Sequence, residues 1–186
     1  INLSVASRII FTWINLLYFE LKFLVKWPER KVKLPEAFKL FPNTRTIIDC
    51  TEFFVQKPSL PSSQRKTWSH YKHHNTYKIL VAITPRGSFC FISKLWSGNV
   101  SDREIVVRSG FLENILPGDD IMADRGFLIR DELALRGATL NIPPFAKGKQ
   151  LSMPAVTKTR RIARARIHVE RAIGRLKTFK ICSNIL

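Results

Sequence analysis

Residues 9–27 (IIFTWINLLYFELKFLVKW) are apolar almost throughout, yet Thr12, Asn15, Lys22 and Lys26 fall on one helical stripe and Glu20 adds a charge inside the run. Internal charges are costly in lipid, so the segment predicts a helix that is buried or forms a dimer, and not a membrane span. Trp27-Pro28 ends it, and KVKLPEAFKLFPNTR predicts an irregular linker. From residue 46 the pattern changes. The β-branched and aromatic run 46–55 (TIIDCTEFFV) predicts a strand with Asp49 and Glu52 in its middle, followed by a polar loop over 56–78. Strands are predicted over 79–84 and 89–96, joined by the tight turn Pro85-Arg86-Gly87-Ser88.

In SGNVSDREIVV, Ser101 and Glu104 have capping-box spacing and open a helix. Next comes a short strand ending at Asp124 and a glycine turn, then a helix over 130–136 and a strand over 139–142. A loop over 145–157, with Lys147 and Lys149, leads to the last element. Over 158–180, Ile162, Val169, Ile173 and Leu176 recur at spacings of seven, four and three, which predicts a helix with one narrow inward face. The order is a three-stranded meander, helix, strand, helix, strand, helix. That order predicts an α/β fold, divided into a helical arm and linker over 1–44 and a core over 45–186.

Charge narrows the partner. The chain of 186 residues has 31 Lys+Arg against 14 Asp+Glu, a formal charge of +17, which favours nucleic acid over a membrane or an acidic protein. Residues 158–180 carry nine basic residues, Arg166, Arg171 and Arg175 among them, and the single acid Glu170. In the 56–78 loop, Arg65, Lys66, Lys72 and Lys78 are interleaved with Tyr71, His73 and further rings, a pattern suited to phosphates and exposed bases. A partly core-packed hairpin is the other reading of that loop. The histidines there lack a cysteine pair or a spaced fourth ligand for zinc. Cys50, Cys90 and Cys182 are scattered and odd in number, which points to a reducing compartment. The chain begins at Ile1, so we expect a piece of a longer product.

Three acids stand out against this basic background. An acid in a buried strand is costly unless it is paired or metal-bound, so Asp49 is either an ion-pair partner or a ligand. Asp124 lies at a strand end, where ligands commonly sit in α/β sheets. Glu170 either pairs with Arg166, four residues earlier, or faces a cation site. Asp102 reads most simply as a first-turn helix acid, and Asp119 and Asp120 as turn residues. Oxygen donors of this kind suit Mg²⁺ or Mn²⁺. Two such ions, about 3.5–4 Å apart, serve in-line displacement at phosphorus.

The stretches IIDCTE (47–52), SHYKHHNTYK (69–78), WSGNVSD (96–102), IMADRGF (121–127) and RIHVERAIGRLK (166–177), in this order, resemble DDE-type transposase/endonuclease proteins of the PIF/Harbinger kind. The resemblance spans about residues 30–182. It implies an RNase H-like mixed sheet flanked by helices, and a metal-dependent DNA endonuclease or transposase core in the nucleus. Position by position, it puts the acidic triad on Asp49, Asp124 and Glu170, with carboxyl groups expected close enough to share two Mg²⁺ or Mn²⁺ ions, and it matches Asp102 to a recurrent acid, an auxiliary candidate whose role the resemblance does not fix. Such proteins carry a separate DNA-binding module before the core, which residues 1–186 do not contain, and the chain stops just after the catalytic helix. A domesticated descendant that binds DNA or a partner protein without cutting is the alternative, and a homo-oligomer is a further expected partner state.

Overall fold

The structure is a computed structural model describing residues 2–30, 33–144 and 153–183. The elements are α1 (Leu3–Leu21), β1 (Thr44–Phe54), α2 (Pro61–Thr67), β2 (Trp68–Ser69), β3 (His74–Ile83), β4 (Phe89–Ile92), β5 (Trp96–Ser97), α3 (Asp102–Arg108), β6 (Asp120–Met122), α4 (Arg130–Ala134), β7 (Thr139–Asn141), α5 (Met153–Leu176) and α6 (Lys180–Ser183). They form an α/β fold with a mixed, RNase H-like sheet flanked by helices. Most of the predicted loop over 145–157 lies outside the described residues.

The sheet runs β2-β3-β1-β6-β7, with β4 and β5 also paired to β3. β1 and β3 are antiparallel from Ile47↔Ile83 to Phe54↔Thr76, whereas β6 is parallel to β1 and β7 is parallel to β6. Helices cover both faces, and for that reason Leu80, Val81, Ala82 and Ile83 form an unbroken apolar run instead of alternating with polar residues. On one face Ile48, Leu80, Ile105, Phe111, Phe127 and Leu133 join α3 and α4 to the sheet. On the other, Ile47, Val81 and Ile83 meet Ile162, Ala165, Val169 and Ala172 of α5.

The alanines explain a difference in α5. Its buried stripe is Ile162, Ala165, Val169 and Ala172, and Ile173 is only partly buried. Small residues let the helix lie close to the sheet, and the larger Ile173 turns to one side. Ser101 caps α3 as its spacing predicts, its Oγ accepting from the Glu104 N–H at 3.2 Å.

Three segments differ from their sequence reading. The polar 56–78 stretch contains α2, with Pro61 in its first turn, where a missing N–H costs nothing. Asn75 ties that helix to β3, its Nδ2 donating to the Gln64 carbonyl at 3.0 Å and to Thr67 Oγ1 at 2.8 Å. The predicted linker contributes to the core, with Phe38 fully buried beside Phe41 under α5, and just before it Trp27, at the end of the apolar run, packs edge-on against Phe111 at 5.6 Å. The apolar helix α1, by contrast, has no buried residue among those described. No helix of the described residues is long and apolar enough to cross a membrane.

Candidate active site

Strand register places two of the acids. Ile47 of β1 lies beside Met122 of the parallel β6, so Asp49, in the middle of β1, and Asp124, just past the carboxyl end of β6, are each two residues further on and lie side by side. The turn after β6 is closed by the Phe127 N–H donating to the Asp124 carbonyl at 3.1 Å. α5 crosses above this end. Its stripe Arg166, Glu170, Ile173 and Lys177, spaced four, three and four, faces down onto it.

The result is a cleft of about 600 Å³ lined by five acids, Asp49, Glu52, Asp102, Asp124 and Glu170. Four basic side chains, Lys72, Lys78, Arg166 and Lys177, line it too, together with Tyr71. The acids and bases are interlocked. Arg166 Nη1 lies 3.1 Å from Asp124 Oδ1, and the Arg125 N–H donates to the same oxygen at 2.8 Å. Lys78 Nζ lies 3.1 Å from Asp102 Oδ1 and 3.9 Å from Glu52 Oε1, and it donates to the Val100 carbonyl at 3.1 Å. Thr76 Oγ1 donates to Glu52 Oε2 at 2.7 Å. Glu170 makes no hydrogen bond or ion pair among the described residues, so the predicted alternative of an Arg166–Glu170 pair is not what forms; Arg166 reaches across to β6 instead.

These surroundings shift proton affinities. Burial, opposed by the Arg166 guanidinium and the Cys50 N–H at 2.9 Å, and reinforced by the Asp102 and Asp124 charges, raises the Asp49 carboxyl from 3.8 to about 6. Burial, with Lys72 nearby, lowers the Lys177 ammonium against the pull of Glu52 and Asp49. Burial and then the Asp102 carboxylate hold the Cys50 thiol far above its usual range, so it stays protonated and is no nucleophile.

Residues 48–186 match the family described as DDE superfamily endonuclease. The chain belongs to that family. No curated protein and no solved structure matches the chain. Membership in an endonuclease family of this kind implies DNA as substrate, and the site can be set against that chemistry.

The all-oxygen donor set is chemically suited to Mg²⁺ or Mn²⁺, which endonucleases of this family generally use. Among the described residues, no group of three His, Cys, Asp or Glu side chains is close enough to hold an ion, although Asp49, Asp124 and Glu170 line the same cleft. The reason is electrostatic: clustered carboxylates repel, and here Arg166 and Lys78 take up their charge.

The expected DNA-contacting residues divide into three groups. Tyr71 and Lys72 stand on the exposed rim, with Lys72 Nζ 4.4 Å from the Tyr71 ring centre. Arg65, Lys66, His73, Arg171 and Arg175 are exposed outside the cleft. Lys78 and Arg166 are turned inward, with only 13% and 12% of their side chains exposed, and are held by acids. Lys177 was not named as a site residue from the sequence, and Glu52 was noted only as an acid in the middle of its strand. A signal existed for Lys177, which lies seven residues after Glu170 and therefore on the same helix face.

Proposed function

We propose that this chain is the catalytic core of a metal-dependent DNA endonuclease or transposase of the PIF/Harbinger kind, cleaving phosphodiester bonds with two divalent ions. The observation that carries the reading is the shared β1/β6 register that brings Asp49 and Asp124 to one cleft beneath Glu170. In this reading Asp49 and Asp124 would hold the ions together, Glu170 would hold one and help position the nucleophile, and Asp102 would be auxiliary through Lys78. Bound ions would supply activation of the attacking water or 3′-hydroxyl and stabilisation of the departing oxygen. Lys72 and Lys177 hold a backbone phosphate over the acids, and Tyr71 offers a ring to an unstacked base. Arg65, Lys66, His73, Arg171 and Arg175 extend the basic track beyond the cleft.

The test is nicking of supercoiled plasmid by the purified chain with Mn²⁺, beside Asp124→Asn. Loss of nicking in the variant supports the assignment. Nicking that survives removes Asp124 from the mechanism. One observation favours a non-cutting descendant instead: Asp124 and Asp102 are already paired with Arg166 and Lys78. Plasmid binding with neither nicking nor Mn²⁺ uptake decides for that reading. The same reading has the protein act on chromosomal DNA in the nucleus, with target choice left to a separate DNA-binding module or partner and with homo-oligomers bringing two ends together. Imaging a tagged chain for nuclear enrichment and light scattering with and without DNA test these two points.

A further inference from the structure

Arg166 is unusual for a basic residue in a DNA-cutting cleft, because it faces acids instead of solvent. Its Nη1 contacts Asp124 at 3.1 Å and its guanidinium is the positive charge that most favours ionised Asp49. Only 12% of its side chain is exposed, and its buried Nε has no hydrogen-bond partner. A buried donor left unpaired is costly, so this seat holds the arginine by charge and not by a complete set of hydrogen bonds. Glu170, one turn along the same face of α5, has no partner at all among the described residues. Together these groups present unsatisfied negative charge and one cation, Arg166, that is well placed but imperfectly bound.

We propose that Arg166 is the resident counter-ion of the carboxylate site, seated at Asp49 and Asp124 while no divalent ion is bound, displaced when one binds, and then free to grip a DNA phosphate. The inference rests on the metal-dependent reading above. It reconciles a basic residue predicted to touch DNA with a position where it cannot yet do so. The long side chain projects from the cleft face of α5, so it can swing from carboxylate to phosphate without movement of the helix, and a guanidinium can bond either group through two N–H donors. By linkage, metal and DNA each strengthen the other's binding through this one side chain.

The experiment uses the whole chain as wild type, Arg166→Gln and Arg166→Lys. Mn²⁺ affinity is read by titration of its paramagnetic resonance signal. Affinity for a fluorescent duplex is read with Ca²⁺ and with chelator. Arg166→Gln is expected to bind Mn²⁺ about tenfold more tightly than wild type, because the competing charge is gone. The factor by which Ca²⁺ strengthens DNA binding is expected to shrink about fivefold in the same variant. Arg166→Lys, which keeps the charge but not the paired donors, should fall between, and it carries the test if the glutamine variant does not fold. Unchanged or weaker Mn²⁺ binding in Arg166→Gln overturns the exchange. So does an undiminished Ca²⁺ effect on DNA, since a merely neighbouring charge would alter metal affinity alone. If no protein takes up Mn²⁺, the metal-dependent reading itself fails. If all take it up equally, only the exchange fails.

Discussion

Replacing Asp49 by Asn should make the metal-free protein more stable, although it removes a group assigned to the active site. Asp49 is half-buried in the middle of β1, with Asp102 and Asp124 close by, and its carboxyl is raised from 3.8 to about 6. A folded pKa above the unfolded one means that folding favours the protonated acid. Its stabilising contribution is therefore complete below pH 3.8 and is lost as pH rises through about 6. The rise corresponds to about 3 kcal/mol at neutral pH and above. Asn is neutral at every pH and keeps the side-chain oxygen that accepts from the Cys50 N–H. At about 2–4 °C per kcal/mol for a chain of this size, Asp49→Asn should melt about 6–12 °C above wild type at pH 8 in chelator. Near pH 4 the two should melt together. Saturating Mn²⁺ should narrow or reverse the gap, because only wild type gains from the ion, by about 2.7 kcal/mol at a hundred times its dissociation constant. Calorimetric melting across pH, with chelator and with Mn²⁺, supplies all these comparisons. Equal melting at pH 8 without metal, or a more stable wild type, refutes the reasoning.

Lys72→Ala should weaken DNA binding to a similar degree for all sequences and reduce the slope of log affinity against log salt by about 1, measured by anisotropy over a salt series. Phe38→Ala should cost about 3–5 kcal/mol in denaturant unfolding, because this ring is fully buried beneath α5 although its segment reads as a linker. A loss below about 1 kcal/mol would show that the segment is not part of the core.

Much of the site was legible because its acids break the local pattern. Asp49 interrupts an apolar strand, Asp124 closes a short strand, and Glu170 is alone among basic residues, so each is conspicuous without a structure. The Ser101 cap and the Pro85–Ser88 turn were legible for a similar reason, since their chemistry is local. What sequence did not yield depends on contacts between distant residues. The choice of Arg166 between Glu170, one turn away, and Asp124, across the cleft, is fixed by how α5 lies over β6. That position depends in turn on Ala165 and Ala172, which a pattern of large apolar residues passes over. α2 was hidden because Pro61, Ser62 and Ser63 have loop chemistry, and only its connection to Asn75 and the proline's place in the first turn make it a helix. α1 poses the opposite case: its sequence asks for burial, and no described residue covers it.

The central claim is that Asp49, Asp124 and Glu170 together hold divalent ions. Anomalous diffraction from crystals of the chain grown with MnCl₂ and a short duplex tests it most directly. The account predicts manganese peaks in the cleft, one in contact with both Asp49 and Asp124 and one reached by Glu170, with Arg166 withdrawn from Asp124. Peaks confined to the protein surface, or a cleft where Arg166 still grips Asp124 and no manganese is bound, would contradict it.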